Sequence, residues 1–525
     1  MVDKTFGDTA IHGIINGLAD SKVDFIEIGF LQDEGYGPGK TVFKNAADAK
    51  RFVPVDKKNS LYTVLADYSR YSIDNLDENK GDSFDAVRAC FFKKERKNVL
   101  DFCREIKRKG YKLFVQPVDI LGYSDFELLD LIRDINEIEP YCVSIVDTFG
   151  SMYEDDLQRV FNLIDHNLVK TSCIGFHSHN NMQMSNALSQ SFARMTLGKR
   201  TAVIDGTLSG MGRGAGNTPT ELIVQYMVSK FGATYDMDAI FDLIDGYIDN
   251  MRARCSWGYS TSMFIAGCYS AHVNNISYLL KKNCISSKDI RYILNKIGED
   301  NRKRYHYDLL ESTYLELLNS AYDDKENLRN LREKLKEKKI LVVAPGKSAH
   351  TQETVIQQFI EMKNPVVITV NFLHEHLKSN YMFLSNANRM RYWSCDSQYE
   401  SVEKIMTSNL SKSARRSDYV ISYSRLIKCG WENMENSMIL LLRLLDFLSV
   451  GEINIAGFDG YTFKAEGNGN YAQTSLELDN AFENAVFVNQ EITEMLLDFN
   501  KCRQSQADIK FITPSRFSTV FEEER

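Results

Sequence analysis

Short apolar runs alternate with amphipathic stretches through the first two-fifths of this chain, and that alternation constrains the fold more than any other feature. The runs are Asp24–Phe30, Leu61–Tyr68, Asp85–Phe92, Lys112–Val118, Cys142–Thr148, Cys173–His179 and Ala202–Thr207. Most are nearly continuous in apolar residues, as strands covered on both faces must be. Helical patterns lie between them, for example Ser124–Ile138 and Asp155–Ile164. This repetition predicts a parallel sheet with right-handed crossovers. A closed (β/α)8 barrel needs eight strands, and seven are visible. The chain opens on a helix-like stretch, Asp8–Ala19, with no strand before it. The sheet is therefore expected to be open, or the barrel to lack its first strand.

At 525 residues the chain is too long for one ordinary domain. The net charge of −8 is spread without a block, which gives no reason to expect nucleic acid or a membrane surface as partner. Ten cysteines are scattered with no Cys-x-x-Cys, as befits reduced thiols in a cytoplasmic protein. The most apolar run, Met438–Val450, is broken by Arg443 and Asp446 and reads as a core helix.

Polar side chains gather at the C-terminal ends of the runs. Glu27 lies in the first, Arg88 in the third, and Gln116 with Asp119 at the fourth. Asp147 and Thr148 end the fifth, and Asp205 and Thr207 the last. In a (β/α) barrel that rim carries the chemistry. Taken singly, each is as well explained by a hydrogen bond that holds a loop. A buried Glu27, Asp147 or Arg88 would be costly unless paired or bound to an ion.

The sixth run ends Ile174-Gly-Phe-His-Ser-His-Asn-Asn181. His177 and His179 are two apart, so on a strand both point to one face. Two neutral imidazoles there suit a divalent metal. The last run opens into Ser209-Gly-Met-Gly-Arg-Gly-Ala-Gly-Asn-Thr-Pro-Thr-Glu221. Its glycines, Gly212 and Gly214 among them, let backbone approach a ligand closely. Thr218, Pro219 and Glu221 read as N-cap, N1 and N3 of a helix start that could attract an anion.

The domain reading is a barrel over residues 1–235, a helical extension over 236–322, a charged linker helix over 323–338 and a Rossmann-like α/β domain over 339–525. Tyr259 and His272, in the extension, are candidates for substrate contact. In the last domain the strand candidates are Ile340–Ala344, Pro365–Val370, Tyr381–Ser385, Asp418–Ser422, Ile453–Phe458 and Ile509–Ile512. They predict a doubly wound sheet. The turn Ala344-Pro-Gly-Lys-Ser348 is no P-loop, yet a loop entering a helix there suits a nucleotide or sugar phosphate. Asp459 ends a strand and is a site candidate on the same rule. His374-Glu-His376 reads as an exposed helix turn.

Residues Asp8 to Glu221 resemble the pyruvate-carboxyltransferase-like, or hydroxymethylglutaryl-CoA-lyase-like, metallolyases. The matching stretches are Val23-Asp-Phe-Ile-Glu-Ile-Gly29, Val146-Asp-Thr-Phe-Gly-Ser151, Gly175-Phe-His-Ser-His-Asn-Asn181 and Asp205-Gly-Thr with Gly210-Met-Gly-Arg-Gly-Ala-Gly-Asn217. The 4-hydroxy-2-oxovalerate aldolase branch looks most similar. The resemblance implies a TIM barrel with a divalent metal at its C-terminal mouth: Mn first, with Mg, Co or Zn as alternatives. His177, His179 and Asn217 would hold the metal. Glu27, Asp147 and Thr148 would line the catalytic pocket, with Arg88, Gln116, Gly212, Gly214 and Tyr259 around the substrate. The family opens with a strand whose Thr-Leu-Arg-Asp-Gly-type motif supplies a further ligand, and no such motif occurs here. On this reading the chain lacks that strand and Met1 is an internal residue of a longer protein.

The implied reaction is divalent-metal-dependent cleavage or formation of a carbon–carbon bond in a 4-hydroxy-2-oxo acid, with pyruvate and an aldehyde as partners, in a homo-oligomer. The alternatives are an acyl-CoA-dependent 2-oxo-acid synthase of the same superfamily, or a catalytically impaired binding or scaffold protein.

Overall fold

A computed structural model describes residues 6–253, 255, 257–282, 285–410, 417–462, 470–473 and 484–521. Met1, read above as an internal residue of a longer protein, lies outside the described residues. The chain divides into two compact units: Met1–Ser277 with Ile297–His306, and Tyr278–Lys296 with Tyr307–Arg525.

The first unit holds β1 (Phe25–Leu31), β2 (Val42–Phe43), β3 (Leu61–Asp67), β4 (Ala86–Phe92), β5 (Lys112–Val118), β6 (Cys142–Asp147), β7 (Cys173–Ser178) and β8 (Ala202–Ile204). They form one parallel sheet in the order β2-β1-β3-β4-β5-β6-β7-β8. All seven predicted strands are present. The eighth is the two-residue β2, which pairs only with the end of β1. Between strands run helices such as Asp125–Asn136, where Ser124 and Glu127 form a capping box, and Glu154–Asn167. Their apolar stripes cover the outer face of the sheet in one large core.

The sheet is curled. β4 and β8 stand four places apart, which in a flat sheet would separate them by about 19 Å. Yet Arg88 of β4 donates directly to Asp205, just past β8. Likewise Phe25 of β1 packs edge-on against Phe114 of β5 with centroids 5.3 Å apart. This is a (β/α)-barrel arrangement, open between β2 and β8.

The period of two along each strand sorts the interior into layers. Phe25, Ala86, Phe114, Cys142, Cys173 and Val203 cluster as an apolar floor. Two residues further along the same strands come Glu27, Arg88, Gln116, Ser144, Gly175 and Asp205. His177 follows on β7, so the polar layer sits toward the C-terminal mouth.

Arg200 ties β7 to the preceding helix. Its side chain is 2% exposed. Nε donates to Asp165 Oδ1 at 2.9 Å, and Nη1 to the carbonyls of Val169 and Ser172, each at 2.7 Å. Nη2 reaches the carbonyls of Asp165 and Leu168, each at 3.1 Å. Arg200→Ala would strand these acceptors and is expected to cost about 3–5 kcal/mol. A urea melt with an unchanged midpoint would contradict this.

The second unit carries β9 (Lys339–Val343), β10 (Val366–Val370), β11 (Tyr381–Leu384), β12 (Glu403–Thr407), β13 (Tyr419–Ile421), β14 (Glu452–Ala456) and β15 (Asp508–Phe511). They form a parallel sheet ordered β13-β12-β11-β10-β9-β14-β15. The order reverses at β9, as in a doubly wound fold. The helix Ser437–Leu448 is buried along most of its length.

One local expectation fails here. His374 is 1% exposed and lies in a loop after β10, not in an exposed helix turn. Phe372 and His350 pack against its ring, and this tertiary burial is invisible in a polar triplet. At the turn 344–348, Ser348 gives both its N–H and its hydroxyl to Asp459. The helix that follows, Ser348–Thr351, has four residues. A neighbouring carboxylate thus engages both Ser348 donors at this turn. Among the described residues, no helix is long and apolar enough to cross a membrane.

Candidate metal centre

The polar layer of the curled sheet is one connected network. Arg88 is 7% exposed. Its Nη1 donates to Glu27 Oε2 at 2.8 Å and its Nη2 to Asp205 Oδ2. Gln116, with its amide oxygen turned to the guanidinium, accepts from Nε at 2.6 Å and from Nη2. Burial alone would lower Arg88, but the two carboxylates hold its pKa well above the ordinary value. Burial likewise works to raise Asp205, yet the Arg88 charge and the His177 bond outweigh it and leave the carboxyl at about 2.

Because Asp205 is ionised it can only accept. His177 Nδ1, 2.8 Å from Asp205 Oδ2, therefore carries a proton and donates it. His179 Nδ1 donates to the Asp147 carbonyl at 2.9 Å. Each ring thus has its Nδ1 engaged and keeps Nε2 for a ligand, the arrangement usual for metal-binding imidazoles. The two centroids are 5.0 Å apart at an interplanar angle of 72°. Burial first, then the neighbouring His177, Arg213 and His272, depress His179 to about 3, so it is neutral at physiological pH.

The glycine loop brings in the third donor. His179 and Asn217 face each other in an antiparallel bridge. Asn180 N–H donates to Gly216 O at 2.8 Å, and Asn217 N–H to Gly210 O at 3.0 Å. The Asn217 amide gives its Nδ2 to Met211 O at 3.0 Å, while its Oδ1 is buried without a hydrogen-bond partner. A buried acceptor left bare in this way is expensive unless something binds it. An amide oxygen on the bridge partner of His179, together with two prepared imidazole nitrogens, is a donor set that suits a divalent cation. Gly212 lies against the Asn217 side chain, and Gly214 against Asn181 Oδ1.

Gly216 adopts φ +88°, and a Cβ there would overlap Gly210 O. Gly216→Ala is expected to cost about 1–3 kcal/mol and to weaken metal binding by displacing Asn217. Thermal melts with and without added metal check both. An unchanged melt would contradict the strain.

The other expected site residues hold loops. Asp147 is 2% exposed; its carboxylate accepts from Ser151 N–H at 2.9 Å and from Ser178 Oγ at 3.5 Å. Burial pushes it up to about 7, against the backbone bonds from Ser151 and Met152. Thr148 Oγ1 accepts from Asp119 N–H at 2.7 Å, holding Asp119 at φ +56°. Tyr259 follows on the glycine loop, since Gly258 N–H donates to Gly214 O, but it is 63% exposed. The helix after the loop runs Thr220–Phe231 with extended Pro219 at its N-cap position. Thr218 instead bonds Ser189, and Glu221 accepts from Ser209 N–H, so the expected capping box does not form.

Residues 84–245 match the HMGL-like family. This stretch is an HMGL-like domain. Over 246 residues the chain is 26% identical to an oxaloacetate decarboxylase of Mycobacterium tuberculosis, covering 46% of this chain and 70% of that protein. Over 181 residues it is 31% identical to a 4-hydroxy-2-oxovalerate aldolase of Shewanella pealeana, covering 33% of this chain and 50% of that one. The chain thus spans about half the length of such an aldolase. A hydroxymethylglutaryl-CoA lyase structure from Pseudomonas aeruginosa matches with a TM-score of 0.37 at 17% identity, over 48% of this chain and 88% of that one.

Within the HMGL-like domain, Asp205, which the sequence placed on the polar rim with no assigned role, joins the network. Its signal was its place at the end of the last apolar run. Arg213 was outside the expected site residues, while His272 was an expected substrate contact, and both lie close enough to His179 to depress it. His272 Nδ1 accepts from Asn274 N–H at 3.1 Å, which leaves its own proton on Nε2. His272 therefore presents a donor, not a base. His12, on the helix Asp8–Asp20, packs its ring on Phe52.

Proposed function

We propose that the first unit is a divalent-metal-dependent carbon–carbon lyase that cleaves a 4-hydroxy-2-oxo acid to pyruvate and an aldehyde, or runs that reaction in reverse. The observation that carries the reading is the pair of imidazoles with Nδ1 engaged, together with the bare buried oxygen of Asn217, the bridge partner of His179. His177, His179 and Asn217 would hold the ion, with Mn first and Mg, Co or Zn as alternatives. When bound, it supplies Lewis-acid stabilisation of the negative charge that develops on the keto oxygen. Asp205 and Arg88 orient His177. Arg213, exposed and close to His179, meets the substrate carboxylate. Glu27 has its side chain 30% open and one oxygen bonded to Arg88, which leaves it able to contact substrate.

Names among the relatives support the same chemistry, since aldol cleavage and oxaloacetate decarboxylation both release a pyruvate enolate. Free cysteines, nine among the described residues, favour a reducing, cytoplasmic setting. The test is to incubate the full chain and Mn2+ with 4-hydroxy-2-oxovalerate and, separately, with oxaloacetate. Equal release of pyruvate and acetaldehyde, abolished by chelator, is expected from the first substrate. Pyruvate from oxaloacetate alone would replace aldolase by decarboxylase. No turnover of either with Mn, Mg, Co or Zn would remove the lyase reading.

A further inference from the structure

The second unit holds a cluster that the barrel chemistry does not use. His350 follows the turn after β9, Glu353 begins the helix Glu353–Lys363, and His374 lies in the loop after β10. One ligand atom from each comes within 4.8 Å of the other two. The rings of His350 and His374 stack with centroids 4.4 Å apart.

The hydrogen bonds prepare these atoms for a cation. His350 Nε2 is buried and has no hydrogen-bond partner. His374 Nε2 lies 3.2 Å from the Ala349 carbonyl, which can only accept, so the proton sits there and Nδ1 carries the lone pair. That lone pair receives only the His376 N–H, at 3.2 Å. His376 Nδ1 pairs with Glu353 Oε1 at 2.9 Å, steadying the carboxylate while leaving its other oxygen open. Fixed tautomers and a carboxylate held by a further histidine are the outer-shell features of metal sites. The place also agrees with the fold: β9 and β10 are neighbours, and doubly wound sheets bind ligands beyond the carboxyl ends of their strands.

We propose that His350 Nε2, Glu353 and His374 Nδ1 form a second metal site, for a zinc-class divalent ion. Two nitrogens and one carboxylate oxygen are a common three-ligand zinc set, with the fourth position left to water or a ligand. Around a tetrahedral zinc such atoms stand roughly 3.4 Å apart. Small side-chain rotations close the present spacing, and the ion takes the place of the His376 N–H at His374.

The test separates this site from the barrel. Full-length His177→Ala/His179→Ala protein is stripped with chelator, loaded with Zn2+, desalted and analysed for metal content. One zinc per chain is expected, and its loss on adding His350→Gln and Glu353→Gln. Both substituted residues are only partly buried, so the fold is preserved, and circular dichroism checks it. Cobalt loading gives an independent readout: a visible d–d band that the two added substitutions abolish. No retained zinc in the barrel variant, or one zinc that survives His350→Gln and Glu353→Gln, overturns the proposal.

Discussion

Asp205→Ala is expected to destabilise the first unit by about 3–5 kcal/mol and to weaken metal binding roughly ten- to a hundredfold. One carboxylate oxygen, Asp205 Oδ2, receives both Arg88 Nη2 and His177 Nδ1. Removing it leaves a guanidinium that is 7% exposed with Glu27 as its remaining carboxylate. It also frees the His177 ring to rotate and to exchange tautomers. Asp205→Asn keeps the shape and an acceptor, so it should lose less stability, while metal affinity still falls because the neutral amide holds His177 less firmly. Urea melts of the apo protein and metal titrations of both variants separate the two effects. Equal stability and equal affinity in Asp205→Ala would mean that the network is ornamental.

His179→Ala is expected to lower metal-dependent turnover by a thousandfold or more. A Lewis acid at a developing oxyanion contributes several kcal/mol, and each ~1.4 kcal/mol is a factor of ten in rate. The fold should survive, because the His179 side chain makes one hydrogen bond, to the Asp147 carbonyl, worth about 1 kcal/mol. The loss should therefore fall on kcat and on metal content, with little change in melting temperature. His12→Ala, on the outer helix, is the matching control and should leave turnover unchanged. A His179→Ala protein that keeps its metal and its rate would exclude the ring as a ligand.

The first unit was legible because its strands carry long runs. Near-continuous apolar segments gave their positions to within a few residues, and the period of two put Glu27, Arg88, Gln116 and His177 on one face. β2 was not legible, since two residues, Val42 and Phe43, contain no period. β12 escaped because it begins with Glu403 and Lys404, which look like surface. Lys404 is in fact 0% exposed, its ammonium 4.8 Å above the Tyr399 ring.

The site was legible as residue types but not as partnerships. Arg88 and Asp205 are 117 residues apart in sequence, and only the curl of the sheet joins them. Asp147 and Thr148 stand at a strand end, where a loop brace and a catalytic group look alike in sequence. Their hydrogen bonds to Ser151 N–H and Asp119 N–H are those of a brace. His350, Glu353 and His374 come from two separate strand ends and show no spacing motif at all.

Catalysis by the first unit requires that His177, His179 and Asn217 hold one divalent ion. Titration of Mn2+ into the full chain, followed by the loss of the free-ion paramagnetic resonance signal, tests this most directly. The predicted result is one tight site in the parent protein that disappears in His177→Ala/His179→Ala and weakens in Asn217→Ala. A parent protein that leaves the signal of free Mn2+ undiminished, or a double variant that binds as tightly as the parent, would contradict it.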